Sequence, residues 1–330
     1  MGFADSFGRV HDELRISVTD RCNLRCTYCM PEEPVWFPRD GILHFEEIHR
    51  LVQVFVRRGV TRFRITGGEP LLRRDLTVLV GMLASTPGVE ELSLTTNGLL
   101  LPDLAPPLAE AGLQRVNVSL DTLVPERFRS LTRRDGLDRV LHGLDVAAQV
   151  GLRPLKINTV LLRGVNDDEV LSLTETSREH GWQIRFIEFM PLENGGTWDM
   201  SRVVSGSDTR RAIEARWPLV PDPGQTPDAP ATTYHFADGK GTVGFINSVT
   251  APFCEHCTRL RLTADGKLSA CLYATDETDL KAPLRQGASD EVLERVIAET
   301  VMRKGRGGAL EILDTRQAIP LARTMHQIGG

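Results

Sequence analysis

The sequence predicts an α/β protein: an incomplete (β/α)6 TIM-like barrel followed by a smaller C-terminal α+β domain. Three observations lead there. Short β-rich runs alternate with amphipathic helical stretches from residue 14 to about 192. Those runs alternate polar and apolar residues, where fully covered parallel strands read as continuous hydrophobic segments. After Pro191 the βα rhythm stops. Strands separated by helices imply parallel βαβ units with right-handed crossovers.

The strand candidates are Leu14–Asp20, Arg62–Thr66, Glu91–Thr96, Arg115–Asp121, Leu155–Leu161 and Gln183–Met190. Six are countable, two short of a full eight-stranded barrel. Phe45–Arg58 represents the helices: Ile48, Leu51, Val52 and Phe55 form one buried face, and Gly59 is a helix stop. Along the strands Arg15, Ser17 and Thr19 share a face, as do Arg62, Arg64 and Thr66, and Ser93, Thr95 and Asn97. The pattern continues with Asn117, Ser119 and Asp121, with Lys156 and Asn158, and with Glu188 and Met190. A parallel sheet that is apolar outside and polar inside is expected to curl around a wet cavity, with its chemistry at the strands' C-terminal ends. An antiparallel sheet with one face in water alternates equally well, but the intervening helices disfavour it.

Asn194-Gly195-Gly196 opens a looser region, and Pro218–Pro230, with five prolines, reads as a linker or surface loop. Short strands are expected at Thr233–Phe236, Thr242–Asn247 and Leu260–Thr263, with Asp265-Gly266 as a hairpin turn. Ser289 is expected to cap a helix running to about Arg303, with Leu293, Val296, Ile297 and Val301 on one side. Residues 1–192 are thus expected to form the partial barrel and residues 193–330 a domain that closes it.

Of 330 residues, 41% are hydrophobic and 25% charged, the balance of a globular protein with a sizeable core. The net charge of -5 supplies no global field for nucleic acid or an anionic membrane, so phosphate affinity would need a local cluster of cations. Met1–His11 lacks the apolar core of a signal peptide, and no apolar run approaches the ~18 residues of a membrane span. A cytoplasmic location is expected.

The six cysteines fall in two triplets, Cys22, Cys26 and Cys29 after the first strand, and Cys254, Cys257 and Cys271 near the other end. In a reducing cytosol this clustering points to metal ligation and away from disulfides, which would leave one thiol over in each triplet. Three thiolates within eight residues can hold three irons of a [4Fe–4S] cube and leave the fourth open. Zinc is the rival, with His44 or His49 completing the first site and His235 the second. His256 is expected to be a solvated loop residue.

The C-x3-C-x2-C spacing of Cys22, Cys26 and Cys29, with Thr66-Gly67-Gly68-Glu69-Pro70 ending the second strand, resembles the radical S-adenosylmethionine superfamily. The resemblance implies that the sulfonium cofactor chelates the open iron and is cleaved by one electron to a 5′-deoxyadenosyl radical. It also implies that Tyr28, Gly68, Ser119 and Met190 lie at the cofactor. Glycine at Gly67-Gly68 would let main-chain groups approach with no Cβ in the way.

Arg259 and Arg261 share a face beside the second triplet. Arg15, Arg62, Arg64 and Lys156 lie on the barrel's expected inner face. Six cations around one cavity of an acidic chain suggest a small polyanion such as a nucleoside triphosphate. The two triplets, the run Cys257–Lys267 and the terminal Ile328-Gly329-Gly330 together resemble the GTP 3′,8-cyclase family, the molybdenum cofactor biosynthesis A proteins. That family implies two [4Fe–4S] clusters, held by Cys22, Cys26 and Cys29 and by Cys254, Cys257 and Cys271, the second presenting an open iron to the purine. It implies GTP contacts from Arg15, Arg64, Thr95, Lys156 and Arg259-Leu260-Arg261. It also implies a catalytic part for Arg15 and for a Gly329-Gly330 tail entering the cavity. Arg62 stands where lysine is expected, and the Pro218–Pro230 loop departs from the pattern without touching a motif. The expected partners are GTP, S-adenosylmethionine, an electron donor such as flavodoxin, a second copy in a homodimer, and cyclic pyranopterin monophosphate synthase as acceptor of the product. A two-cluster peptide maturase and a zinc-stabilised binding protein are the alternatives.

Overall fold

The computed structural model describes residues 2–192, 198–315 and 323–329. Asn194-Gly195-Gly196 and Gly330 lie outside the described residues. A short hairpin, β1 (Phe3–Ala4) and β2 (Val10–His11), precedes the main sheet. The barrel strands follow as β3 (Glu13–Ser17), β4 (Arg62–Thr66), β5 (Glu91–Thr96), β6 (Arg115–Ser119), β7 (Lys156–Leu161) and β8 (Gln183–Glu188). Helices α1 (Phe45–Arg57), α2 (Leu76–Ala84), α3 (Leu101–Glu110), α4 (Pro125–Thr132), α5 (Leu137–Gln149) and α6 (Val170–His180) connect them. In α1 the stripe Ile48, Leu51, Val52 and Phe55 is almost completely buried, and Gly59 ends the helix at φ +82°.

The later strands are β9 (Leu219–Pro221), β10 (Thr232–Phe236), β11 (Thr242–Ile246), β12 (Arg259–Leu262), β13 (Lys267–Ser269) and β14 (Thr278–Asp279). With them run α7 (Gly206–Glu214), α8 (Lys281–Arg285), α9 (Asp290–Met302), α10 (Gly308–Thr315) and α11 (Met325–Ile328). They extend the first sheet on both sides, giving the order β14-β13-β12-β3-β4-β5-β6-β7-β8-β11-β10-β9. Because β12 pairs parallel with β3, and β11 parallel with β8, the parallel run has eight strands where six were counted. Among the described residues β11 and β12 do not pair, so the barrel stays open. Asp265-Gly266 does make the β12–β13 turn, with Gly266 at φ +81°.

Three expectations need correction. The Pro218–Pro230 segment is not all loop: it begins with edge strand β9, and Asp228 and Pro230 reach the barrel. Ser289 stands at the N-cap of α9, but its side chain makes no capping hydrogen bond. On β8 the inner face carries Arg185, opposite Asn158 of β7, and not Glu188. The strand ends at Glu188, so the parity carried on to Met190 fails. Glu188 is buried instead on the other face. It accepts from the backbone N–H groups of Gly206 (3.0 Å), Val249 (2.8 Å) and Thr250 (2.8 Å), and from the Thr250 hydroxyl (2.5 Å). One carboxylate therefore ties β8 to the start of α7 and to the segment after β11.

No helix among the described residues is long and apolar enough to cross a membrane. Removing the Glu188 carboxylate strands several buried donors at once. Glu188→Ala should lower unfolding stability by about 3 kcal/mol or more, and Glu188→Gln by less. Urea denaturation followed by circular dichroism measures both.

Candidate active site

The segment after β3 carries the first triplet across the strands' C-terminal ends. Its backbone is pinned by Arg25 N–H to Thr132 O and Thr27 N–H to Leu131 O, both 2.9 Å, and by Cys29 N–H to Cys26 O, 3.0 Å. Gly67 and Gly68 fit this segment closely. A Cβ on Gly68 would lie 2.4 and 2.5 Å from the carbonyl oxygens of Asp20 and Arg21, and one on Gly67 2.5 Å from that of Thr19. The glycines thus let the end of β4 close on the chain entering the triplet, sealed by Gly68 N–H to Thr19 O and Glu69 N–H to Arg21 O, both 2.7 Å. The buried Glu69 carboxylate accepts from Thr96 Oγ1 (2.7 Å) and Asn97 N–H (2.7 Å). Asn97 Nδ2 in turn donates to Asn23 Oδ1 at 2.7 Å and lies 3.8 Å from Cys22 Sγ.

Cys22, Cys26 and Cys29 line a cavity of about 280 Å³ inside the barrel mouth. Burial, reinforced by Glu69, pushes the Cys22 thiol up to about 11. Burial, then Cys22 and Asp121, push Cys29 up to about 12. Tyr28, Gly68, Ser119 and Met190 line the same cavity. The Tyr28 hydroxyl donates to Asp121 Oδ2 at 2.5 Å, and burial raises that carboxyl to about 6. Three sulfurs on one wall, with no fourth cysteine, suit a [4Fe–4S] cube that leaves one iron to a small-molecule ligand. Opposite, Asn158 Oδ1 and Arg185 Nε are buried without a partner among the described residues, as an absent polar ligand would leave them.

The inner wall is cationic. Arg15, Arg64, Arg259 and Arg261 line the cavity with Thr95. Burial, then the neighbouring Arg259, lower Arg261 to about 10. Arg185, which the sequence reading missed, joins them, brought down to about 9 by burial and by Arg64. Pairing β8 with β7 from Gln183 onward would have found it. Lys156 sits on the same face nearer the strands' N-terminal ends, where burial, then Arg185, lower it to about 6. One expectation fails here. Arg62 is not part of the cavity wall: its guanidinium bridges Asp12 (2.7 Å) and Asp228 (2.8 Å). The Leu260 side chain alternates away from Arg259 and Arg261 into the core, fully buried, so only its main chain faces neighbouring strands.

The second triplet also converges. Cys257 and Cys271 both act electrostatically on Cys254, whose thiol is raised by burial first and then by them. At Cys257 burial pushes the thiol up, but Arg259 and Lys304 outweigh it and bring it down to about 6. Gly307, at φ +147°, packs against this site: a Cβ there would lie 2.7 Å from Cys254 Sγ. Cys271 opens on a second hollow lined by Tyr273, Lys304 and Gly305–Gly308. The set of three thiols suits a second cube, although of the three only Cys271 lines that hollow. His235 is held 3.2 Å from Asp222 on β10, His49 3.0 Å from Thr86, and His44 stands at the N-cap of α1. His256 is exposed. Among the described residues no three His, Cys, Asp or Glu side chains close on a single-ion point.

The C-terminal tail enters the barrel. Met325 and His326 line the cavity, and the Gly329 carbonyl accepts from Arg261 Nη1. Gly329, at φ +86°, is so close that a Cβ would lie 3.0 Å from both Ser17 and Thr66 side chains. No pattern in the sequence points to His326, whose ring is buried against Trp36.

A family model described as Radical SAM superfamily matches residues 16–176, and one described as Molybdenum Cofactor Synthesis C matches residues 182–309. A GTP 3′,8-cyclase of Rhodopirellula baltica is 47% identical over 100% of this chain and 92% of its own length. A mitochondrial GTP 3′,8-cyclase of Arabidopsis thaliana is 43% identical over 99% of this chain and 83% of its own. Among solved structures, Streptococcus suis SuiB aligns with a TM-score of 0.60 over 88% of this chain and 68% of its own, at 18% identity, a likeness of fold. These relatives favour the cyclase over the peptide maturase, and the superfamily implies a [4Fe–4S] cluster and S-adenosylmethionine. A chain this similar along its full length to such relatives belongs to the GTP 3′,8-cyclase family of radical S-adenosylmethionine enzymes.

Proposed function

We propose that this chain converts GTP to 3′,8-cyclo-7,8-dihydro-GTP, an early step of molybdenum cofactor biosynthesis. The observation that carries the proposal is one cavity with a cysteine triplet on its wall, arginines lining it and a second triplet beside those arginines. Cys22, Cys26 and Cys29 hold the first cluster, with Tyr28, Gly68, Ser119 and Met190 around S-adenosylmethionine. Cys254, Cys257 and Cys271 hold a second [4Fe–4S] cluster. When bound, the first cluster and S-adenosylmethionine supply a radical able to take hydrogen from an unactivated carbon.

The chain's own residues bind and orient. Arg15, Arg64, Arg185, Arg259 and Arg261, with Lys156 and Thr95, grip the triphosphate and ribose, since guanidinium forks match phosphate oxygens. Their mutual repulsion in a buried wall is relieved when a polyanion enters. The tail that ends in Gly329 closes the space around the reacting sugar and excludes water. Residues 1–192 carry the radical-generating site and most of the substrate-gripping side chains, and residues 193–330 add Arg259, Arg261 and the second triplet. In the cytoplasm a flavodoxin-type donor supplies electrons to a homodimer, and the product passes to cyclic pyranopterin monophosphate synthase.

Anaerobic reconstitution should load about eight irons per chain, and incubation with GTP, S-adenosylmethionine and dithionite should yield the cyclised nucleotide by mass spectrometry. A chain that cleaves S-adenosylmethionine but leaves GTP unchanged would refute the proposal. Deleting Gly329-Gly330 should abolish cyclisation while both cluster signals persist in electron paramagnetic resonance. Arg185→Ala should weaken GTP binding about tenfold or more, the loss expected of one buried charge-assisted contact. Equilibrium binding to the loaded protein reads it directly.

A further inference from the structure

The first residues of the chain lie against its second cysteine triplet. Arg9, 8% exposed, donates through Nη1 to the carbonyls of Cys254 (2.8 Å) and Arg306 (3.0 Å), and through Nη2 to that of Gly305 (2.7 Å). Its Nε is held by Asp5 Oδ2 at 2.6 Å, and Asp5 Oδ1 caps the turn by accepting from Phe7 and Arg9 N–H. One buried guanidinium thus staples the Cys254 loop to the Gly305–Gly308 segment. That segment places Gly307 on Cys254 Sγ.

A second contact runs from β2. Lys304, 4% exposed, directs its ammonium at the carbonyls of Cys257 and Arg259, both 3.0 Å, and at His11 Nε2, 2.9 Å. Three N–H donors meet three acceptors, and Cys257 Sγ lies 3.7 Å away. His11 Nδ1 is 3.3 Å from the Phe3 carbonyl, an acceptor only. The ring is therefore protonated at Nδ1 and accepts at Nε2. The imidazole orients the lysine and adds no charge of its own.

We propose that Asp5, Arg9, His11 and Lys304 are positioning residues of the second metal centre. The N-terminal hairpin locks the Cys254–Cys257 loop and keeps one buried cation beside the Cys257 sulfur. A fixed positive charge and N–H groups around cluster sulfurs stabilise the more negative, reduced state, so this shell raises the centre's reduction potential. The inference rests on the proposal that the second triplet holds a cluster. None of the four residues belongs to a cysteine motif, and Arg9 is separated from Cys254 by 245 positions.

The test uses the full chain, reconstituted anaerobically, with iron content and a redox titration of both clusters by electron paramagnetic resonance. Lys304→Met should lower the ratio of reduced to oxidised second cluster at least tenfold at a fixed potential, ~59 mV for a one-electron couple. The first cluster should not shift. Lys304→Arg, which keeps the charge, should restore most of that change. Arg9→Gln should at least halve occupancy of the second cluster and leave the first full. Two clusters at wild-type occupancy and potential in Lys304→Met and Arg9→Gln would overturn the inference alone. So would loss of both clusters together in these variants, which marks a general folding role. A wild-type chain that binds only the first cluster would overturn the two-cluster proposal and this inference with it.

Discussion

The molecule is organised around an excess of positive charge inside a sheet. Arg64, Arg185 and Arg261 are buried in the barrel wall, Arg15 lines it partly buried, and Glu13 stands among them. Burial alone would raise Glu13, yet Arg64 and Arg15 hold it well below the usual carboxylate range. The guanidinium groups are depressed, first by burial and then by a neighbouring cation, Arg64 for Arg15 and Arg185, and Arg259 for Arg261. Glu13 and the more distant Glu91 do not balance such a wall, and buried charge without a partner is costly. The interior is thus built for a ligand carrying several negative charges, and the surrounding structure bears the cost of keeping it ready.

That wall exists because the strands alternate. A polar residue at every second position of a parallel sheet forbids packing on both faces, so the sheet must curve around solvent or ligand. Sequence periodicity therefore carried the barrel, the strand positions and most of the cavity wall. It could not carry pairing between distant segments. Arg62 has the right parity for the cavity, but Asp12 and Asp228 satisfy it locally, and Asp228 comes from a loop whose path no periodicity describes. In the same way, β11 and β12 looked like parts of a separate unit, although β12 finds its parallel partner in β3 across more than two hundred residues. Counting βα units along the chain cannot reveal a strand that arrives without its helix.

The two cysteine triplets differ in spacing and differ further in surroundings. The first lies among groups that oppose thiolates: burial, Glu69, Asp121 and the other sulfurs all raise its thiols. The second has Arg259 and Lys304 at hand, enough to bring Cys257 below neutrality. Ligand sulfurs bind iron as thiolates, so loading the first site must release protons from groups that hold them tightly. The metal's own charge has to drive that release. Beside the second triplet the protein supplies cations of its own that favour the thiolate. Spacing alone made both triplets legible as ligand sets, but this difference depends on neighbours that are remote in sequence.

Arg261 connects the tail to the charged wall. Its Nη1 is taken by the Gly329 carbonyl, while the rest of the fork remains among the cavity's cations. A guanidinium has five donors in a fixed plane, so a ligand phosphate that reorients it also moves the point to which the tail is tied. The tail has little freedom of its own there, because Gly329 fits between Ser17 and Thr66 only without a side chain and at a positive φ. Anion binding and tail docking are thus linked through one side chain. Met325, His326 and Gly329 form part of the inner wall, seated by one of the charges that line it.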